Sequence, residues 1–316
     1  METVPFLFLD SICALLSKSS IEYLSKIAGK CLETASRDYL KKILSFDFEV
    51  GATGNLYCYQ FSFGFRDYST FEEVKAMDRR YLRLDSFNNT NFVEGHGRTS
   101  VAQEELLKMI DFAIAHINTD CRLILTGNDI PFSRILYRKL HGIEQFNRLA
   151  MAYTCEDSMQ HLDNYVNSSA PKKSIVLAGK KWPQTVMPLM KEVVFLPSFY
   201  KLSFNRSNLT FETSFLKEIL TKWTAGSLDW PKDGELFAQF FFDQEVLISE
   251  LDSAEKIEKL NDLKYLLKHP NPSKSEDNLL IIVYVNTIHF HNGKPDNMIS
   301  TRPRNYFKIT RVNAEL

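Results

Sequence analysis

A spacing of about 26 residues recurs through the middle of the chain and limits the architectures open to it. Five short segments share one pattern, in which two apolar residues flank a third residue: Leu123-Ile124-Leu125, Leu149-Ala150-Met151, Ile175-Val176-Leu177, Leu202-Ser203-Phe204 and Leu228-Asp229-Trp230. Successive segments begin 26, 26, 27 and 26 positions apart. Each segment suits a short strand whose two outer residues point to the same side.

Amphipathic runs lie between these segments, at 132–140, 156–166, 182–195 and 211–223. Their apolar residues recur every three or four positions, which predicts helices. A short strand and a helix repeated at this length are typical of an α/β solenoid, and the unit is like that of a leucine-rich repeat. The Asn or Cys of the standard repeat is absent, so the pattern indicates a degenerate relative. A compact α/β domain with units of similar length is the alternative.

The segments before the array extend the same alternation of strand and helix. Residues 56–65 alternate between aromatic and mostly polar side chains, which predicts a strand with one aromatic face. Leu82-Arg83-Leu84 fits a further repeat strand, and residues 103–117 fit a helix.

The segments after the array differ from the repeat. Residues 254–267 form a charged run that predicts a helix, and residues 279–290 predict a long strand. A turn at Asn292-Gly293 lets residues 306–312 return as an antiparallel strand. Terminal units of solenoids are usually atypical, so residues 279–312 are expected to form a β-hairpin cap.

The first 44 residues predict three short helices. The first spans Pro5 to Leu16; the second begins at a capping box formed by Ser19 and Glu22 and ends at Gly29; the third runs from Lys30 to Leu44. A unit of this size buries too little apolar surface to be stable alone, so it is expected to pack against a neighbour or a partner.

The residues of this N-terminal segment resemble an F-box. The resemblance is carried by Val4-Pro5, Leu9, Ile12-Cys13, Leu16, Ile21, Leu24 and Ile27. It covers residues 4–44 of the 316 and departs from the usual pattern, because Val4 replaces a leucine and Cys31 or Leu32 stands where a tryptophan is expected. An N-terminal motif before a leucine-rich-repeat-like region is similar to divergent F-box proteins, including the large nematode families. A three-helix cap unrelated to the F-box is the alternative.

The resemblance implies that residues 1–46 dock on the Skp-type adaptor of a cullin–RING ubiquitin ligase, and that residues 47–316 bind a target protein. The residues expected at the adaptor are Pro5, Leu9, Ile12, Leu16, Ile21 and Leu24. On the repeat strands, the residues that do not point inward are expected to meet the target, among them Thr126, Ala152, Ala178 and Asn205. The alternative is a protein-interaction scaffold, outside any ligase, whose N-terminal helices only cap the solenoid.

No sequence pattern specific for catalysis is present: GxGxxG, GxxxxGK[ST], GxSxG and HExxH motifs are all absent. We therefore expect neither an enzyme nor a cofactor. His289 and His291 alternate along one predicted strand, but no third ligand follows at a suitable spacing, so an ordinary hairpin face is favoured over a metal site.

Charge and cysteine content bear on the partners and the compartment. The net charge is −1, so no overall field favours nucleic acid or a membrane surface. The five cysteines form no CxxC pair, which fits reduced thiols and a cytoplasmic or nuclear protein.

Overall fold

The contacts within the computed structural model divide the chain into two units, Met1–Ala170 and Pro171–Leu316, and each is described by itself. The structure describes residues 6–16, 18–27, 30–64, 67–91, 98–143, 146–169, 173–205, 207–228, 230, 234–241, 257–261, 264–268, 277–284 and 305–313.

Unit 1 begins with three helices and continues as a mixed α/β fold. The helices are α1 (Phe6–Leu15), α2 (Lys18–Ile27), α3 (Lys30–Lys42), α4 (Phe71–Ala76), α5 (Gln103–Ile114), α6 (Ile130–Lys139) and α7 (Glu156–Asn167). The strands are β1 (Leu44–Thr53), β2 (Leu56–Phe63), β3 (Asp67–Ser69), β4 (Leu82–Asn89), β5 (Thr99–Val101), β6 (Ile117–Leu125) and β7 (Arg148–Ala152).

Strands β7, β6, β4 and β1 lie side by side and run parallel. β2 then pairs with β1 antiparallel, through a two-residue turn in which Gly54 adopts a φ of 60°, a conformation that disfavours any residue with a Cβ. β3 and β5 add to β2, also antiparallel. Leu123 lies opposite Leu149, which confirms the predicted spacing between these two strands.

An aromatic cluster joins one face of this sheet to the helices that cover it. The Phe61 ring on β2 is fully buried and lies 4.5 Å from that of Phe48 on β1, centroid to centroid. It also lies 5.9 Å from the ring of Phe71 on α4 and 6.4 Å from that of Phe112 on α5. The aromatic face predicted for residues 56–65 is confirmed. Burying a ring of this size stabilises the fold by about 2–3 kcal/mol.

Helices α1 to α3, hereafter the helical module, pack against the rest of unit 1 around Tyr39. Cys13, Ile21 and Tyr39 are fully buried together, and Tyr81, outside the module, packs against them. The Tyr39 and Tyr81 ring centroids are 5.2 Å apart. Arg83 Nη2, on β4, donates to the carbonyl oxygen of Cys13 at 3.0 Å. The module thus completes its core against its own chain.

Unit 2 contains strands in both parallel and antiparallel pairings. Its elements are β8 (Lys173–Ala178), α8 (Met187–Val194), β9 (Phe199–Asn205), β10 (Phe211–Glu212), α9 (Thr213–Thr224), β11 (Glu235–Phe241), β12 (Ile257–Asn261), β13 (Lys264–Lys268), β14 (Asp277–Tyr284) and β15 (Asn305–Asn313). β8, β9 and β11 are parallel neighbours, and β10 pairs with β11. β15, β14, β13 and β12 continue antiparallel from β11.

The prediction of a fifth repeat strand at residues 228–230 is wrong. Leu228 and Trp230 lie outside any strand, and Leu202 on β9 pairs instead with Leu236 on β11. Both Leu228 and Trp230 are buried, and Trp230 Nε1 donates to the Val194 carbonyl oxygen at 2.8 Å. An irregular segment that fills a core can carry the same apolar spacing as a strand, so the pattern alone could not separate them.

The charged helix predicted at 254–267 is also wrong, because the described residues of this region form the β12–β13 hairpin. Tyr265 pairs with Ile281 on β14, so the segment satisfies backbone groups that β14 would otherwise leave unpaired on that side. The return strand is confirmed, since β15 pairs antiparallel with β14 from Tyr306 to Asn313. His289, His291 and the turn at 292–293 lie outside the described residues.

Two features of unit 1 differ from the prediction: one strand was not predicted, and the start of one helix was predicted at the wrong residue. Strand β1 was not predicted, although Phe46, Phe48 and Val50 alternate inward along it. Ser19 lies inside α2 rather than before it; the backbone amide of Lys18, where the helix starts, donates to Asp120 Oδ2 at 2.8 Å. A carboxylate 102 residues away therefore serves this helix end. The assignment of residues 1–46 to a separate module stays a prediction.

Candidate interaction surfaces

An apolar hollow on the helical module is the first candidate surface. Leu16, Ser20, Tyr23 and Leu24 line a cavity of about 360 Å³. Tyr23 is 62% exposed, and Phe8 on α1 is 56% exposed. Large exposed apolar side chains on a small helical unit are typical of a surface that a partner covers.

The residues predicted to meet the adaptor fall into three groups. Leu16 and Leu24 line the hollow and are partly exposed, and Ile12 is partly exposed on α1. Leu9 and Ile21 are buried, and Ile21 belongs to the core around Tyr39. Pro5 lies outside the described residues. Tyr23, between Ile21 and Leu24 on α2, was not among the predicted residues, and its spacing of four from Ile27 was the available signal.

The second candidate surface is the face of the unit 1 sheet opposite the aromatic cluster, hereafter the polar face. Strand register aligns two rows of side chains across it. One row contains Ser62, Asp47, Ser86, Arg122 and Arg148, and the next contains Gln60, Glu49, Asn88, Ile124 and Ala150. In both rows, strands β2, β1 and β4 carry acidic, amide and hydroxyl side chains. Strands β6 and β7 carry the two arginines and the two apolar residues.

The acidic part of the polar face is well satisfied. Glu49 accepts from Arg98 Nη2 at 2.5 Å and from Thr90 Oγ1 at 2.6 Å. Asp47 accepts from the Ser86 hydroxyl, which accepts in turn from Asn88 Nδ2 at 3.1 Å. The arginines of the polar face are less well paired. The nearest Asp47 oxygen lies 3.9 Å from Arg122 Nη2, at the outer limit of an ion pair.

A polar cleft of about 370 Å³ opens where the helical module meets β4 and β6. Charged side chains of both signs line it: Lys18, Glu22, Arg83, Asp85, Asp120 and Arg122. Burial raises the pKa of Asp85, and the neighbouring Asp47 carboxylate raises it further, whereas a hydrogen bond with Ser45 opposes the rise. The charges within the cleft balance, so the lining itself favours neither an anion nor a cation.

The residues predicted to meet a target lie at the ends of parallel strands. In unit 1, Thr126 follows β6 and Ala152 ends β7; both are partly exposed. In unit 2, Ala178 ends β8 with partial exposure and pairs in register with Asn205 of β9. The Asn205 side chain lies outside the described residues. The paired arginines were not among the predicted residues, although Arg122 and Arg148 directly precede Leu123 and Leu149 and share their 26-residue spacing.

No protein-family model matches the chain, and neither the curated proteins nor the solved structures contain a significant match to it. The function therefore has to be argued from the residues and the geometry.

Several groups that could carry chemistry are held in structural roles. Burial raises the pKa of the Cys121 thiol to about 12, and burial also raises that of Cys58. Both thiols are therefore protonated at neutral pH and are poor nucleophiles. Within the described residues, no three His, Cys, Asp or Glu side chains are grouped to hold a metal ion. No helix in that same part of the chain is long and apolar enough to cross a membrane.

The loop after β6 gives a first testable prediction, at Gly127. A Cβ added there would lie 2.5 Å from Asn89 Oδ1, and the Asn89 side chain is buried. Gly127→Ala should therefore destabilise the protein by about 1–3 kcal/mol, measured by urea unfolding. Thr126→Ala, in the same loop, serves as the control and should cost less than 1 kcal/mol. Equal unfolding midpoints for the two variants would contradict the close approach.

Proposed function

We propose that this protein is the substrate-recognition subunit of a cullin–RING ubiquitin ligase, with the helical module binding a Skp-type adaptor and the strand–helix region binding a target. The proposal includes the F-box-like identity of the module and a leucine-rich-repeat-like character for the region behind it. The ligase core and its Skp-type adaptor are the proposed partners, and the compartment would be the cytoplasm or nucleus.

The apolar hollow is the observation that carries this proposal. Leu16 and Leu24 belong to the F-box-like pattern of the sequence, and both line the hollow beside the exposed ring of Tyr23. A partner helix with apolar side chains would remove this surface from water. Removing these apolar side chains from water would favour association through the hydrophobic effect.

The proposed mechanism requires no catalytic group in the chain. Two binding surfaces on one scaffold bring a target close to a ubiquitin-charged enzyme, and the gain is one of effective concentration. The alternating burial along β6 leaves one side of this strand accessible to a target, because Leu123 and Leu125 are buried while Ile124 stays partly exposed.

A second candidate function is supported by the packing of the module. Ile21 and Cys13 are fully buried against Tyr39, and Lys18 and Arg83 join the module to β6 and β4. These contacts are what a helical cap on a protein-interaction scaffold would make. Adaptor binding separates the two candidates.

The test is a pulldown of the intact chain with a purified Skp-type adaptor, comparing the wild type with a Ser20→Glu/Tyr23→Glu variant. Both side chains are exposed and line the hollow, so the charges should leave the fold intact. We expect adaptor binding to fall at least tenfold, because a carboxylate in an apolar interface loses its hydration without gaining a partner.

Tyr68→Glu is the matched control, since Tyr68 is 49% exposed but lies on β3, away from the helical module. It should bind the adaptor as the wild type does. If the folded wild-type chain fails to bind, or if both variants bind equally well, the ligase proposal fails and the scaffold function stands.

A further inference from the structure

Two arginines lie side by side on the polar face, on strands β6 and β7. Arg122 on β6 and Arg148 on β7 are direct register partners, so their Cα atoms are about 4.8 Å apart. Leu123 and Leu149, the next pair, are both buried, which places both arginines on the opposite, polar face. Both arginines are exposed.

The two arginines differ in the negative charge around them. Arg122 lies 3.9 Å from Asp47, shares the polar cleft with Asp85 and Asp120, and keeps 48% of its side chain exposed. Arg148 has no carboxylate within ion-pair distance among the described residues. Like charges directly opposite on neighbouring strands repel one another, and an anion placed between them removes this cost. The planar guanidinium of each arginine presents a fork of N–H donors that matches a carboxylate.

The next row along the same two strands is apolar. Ile124 and Ala150 are register partners, and they lie two residues beyond the arginines, about 6.6 Å along the strands. Ile124 is partly exposed, whereas Ala150 is buried and forms the floor of this row. An extended peptide has the same spacing between side chains two positions apart. The surface is therefore complementary to an acidic residue whose neighbour two positions away is apolar.

We infer that the Arg122–Arg148 pair, with Ile124 and Ala150, binds an extended acidic segment of the target protein, in which a glutamate or aspartate lies two residues from an aliphatic side chain. This inference rests on the proposed function and names its target class. The guanidinium groups hold the carboxylate, and the apolar row sets the register of the peptide.

The experiment measures fluorescence anisotropy of labelled peptides with the full chain. The probe has the centre Leu-Thr-Glu-Thr-Leu, which places an aliphatic residue two positions away in either chain direction. Companion peptides carry glutamine, arginine or phosphoserine in place of the glutamate. We expect the glutamate peptide to bind at least tenfold more tightly than the glutamine peptide, and the difference to shrink as salt is added.

Arg122→Gln/Arg148→Gln should remove this preference. Arg134→Gln is the matched control, because Arg134 on α6 is similarly exposed and also lies 3.9 Å from one carboxylate, that of Asp157. It should leave the preference unchanged. Arg122→Glu/Arg148→Glu should reverse the preference, toward the arginine peptide; this gain of binding cannot arise from misfolding.

Equal binding of the glutamate and glutamine peptides by the wild type would overturn the inference, as would binding of the phosphoserine peptide alone. Adaptor capture on the same samples separates this outcome from that of the proposed function. Peptide discrimination without adaptor capture refutes the ligase and keeps the acidic-segment surface. Adaptor capture without discrimination does the reverse.

Discussion

Replacing Tyr39 by alanine should destabilise the helical module by about 4 kcal/mol, the usual cost of removing a large buried ring. Tyr39 on α3 is fully buried with Cys13 and Ile21, and its ring packs against Tyr81 outside the module. Its hydroxyl donates to the carbonyl oxygen of Arg80 and accepts from Arg83 Nη2 at 3.3 Å. One side chain thus fills the core and makes two polar contacts with the part of unit 1 outside the helical module.

Two further substitutions separate these contributions. Tyr39→Phe keeps the ring and should cost about 1–2 kcal/mol, because it leaves the Arg80 carbonyl and the Arg83 guanidinium without this partner. Tyr23→Ala, in the same module but 62% exposed, should stay within about 0.5 kcal/mol of the wild type.

Hydrogen exchange followed by mass spectrometry is the suitable measurement, since it reports α1 to α3 separately from the sheet. We expect Tyr39→Ala to lose protection in these helices first. Unchanged protection there would mean that the module does not depend on its contacts with Tyr81 and Arg83. That result would favour an autonomous module over a cap.

The parts of the fold that could be predicted from the sequence are those with strong local periodicity. Helix α7 begins at Glu156, where the amphipathic run begins, and Leu149 lies opposite Leu123 as the spacing required. Leu228 and Trp230 show the limit of this reasoning. Their spacing fits a strand, but Trp230 fills space between Phe199 and Val194 instead. Local pattern cannot tell which apolar segment a core will recruit.

The candidate surfaces were less predictable for a different reason. Leu16 and Leu24 could be named from the pattern of the module, yet Ile21, with the same helical spacing, is buried. Which side of a small helical unit faces its own chain depends on partners distant in sequence, here Tyr81 and Arg83. The arginine pair follows from the 26-residue spacing that aligns Leu123 with Leu149, but this spacing does not show that the rest of the chain leaves both arginines exposed.

Lowering the pH from 7 to below 4 should reduce the free energy of unfolding by about 3 kcal/mol through His161 alone. His161 on α7 is buried, and its ring centroid lies 5.5 Å from that of Tyr137 and 6.3 Å from that of Phe146. Nε2 has no hydrogen-bond partner in the described part of the chain. Burial, with a smaller contribution from His141, lowers the pKa of His161 from 6.5 to about 4.

The pH window follows from the two protonation states. Above pH 6.5 the ring is neutral in both the folded and the unfolded chain, so it adds no pH dependence. Between pH 6.5 and about 4, His161 binds a proton in the unfolded chain but stays neutral in the folded chain. Unfolding therefore becomes more favourable as the pH falls. Below about pH 4 both states are protonated and the loss is complete. A difference of about 2.5 pKa units corresponds to about 3 kcal/mol.

His161→Leu isolates this contribution, because leucine fills much of the same space and does not titrate. The difference in unfolding free energy between variant and wild type should rise in favour of the variant as the pH falls from 6.5 to 4, in urea titrations at each pH. His141→Gln is the control: His141 is exposed, so its loss should leave most of the slope in place, since burial is the larger cause of the shift. Parallel pH profiles for His161→Leu and the wild type would mean that the ring takes up its proton without unfolding. The packing of α6 against α7 would then tolerate a protonated His161 ring.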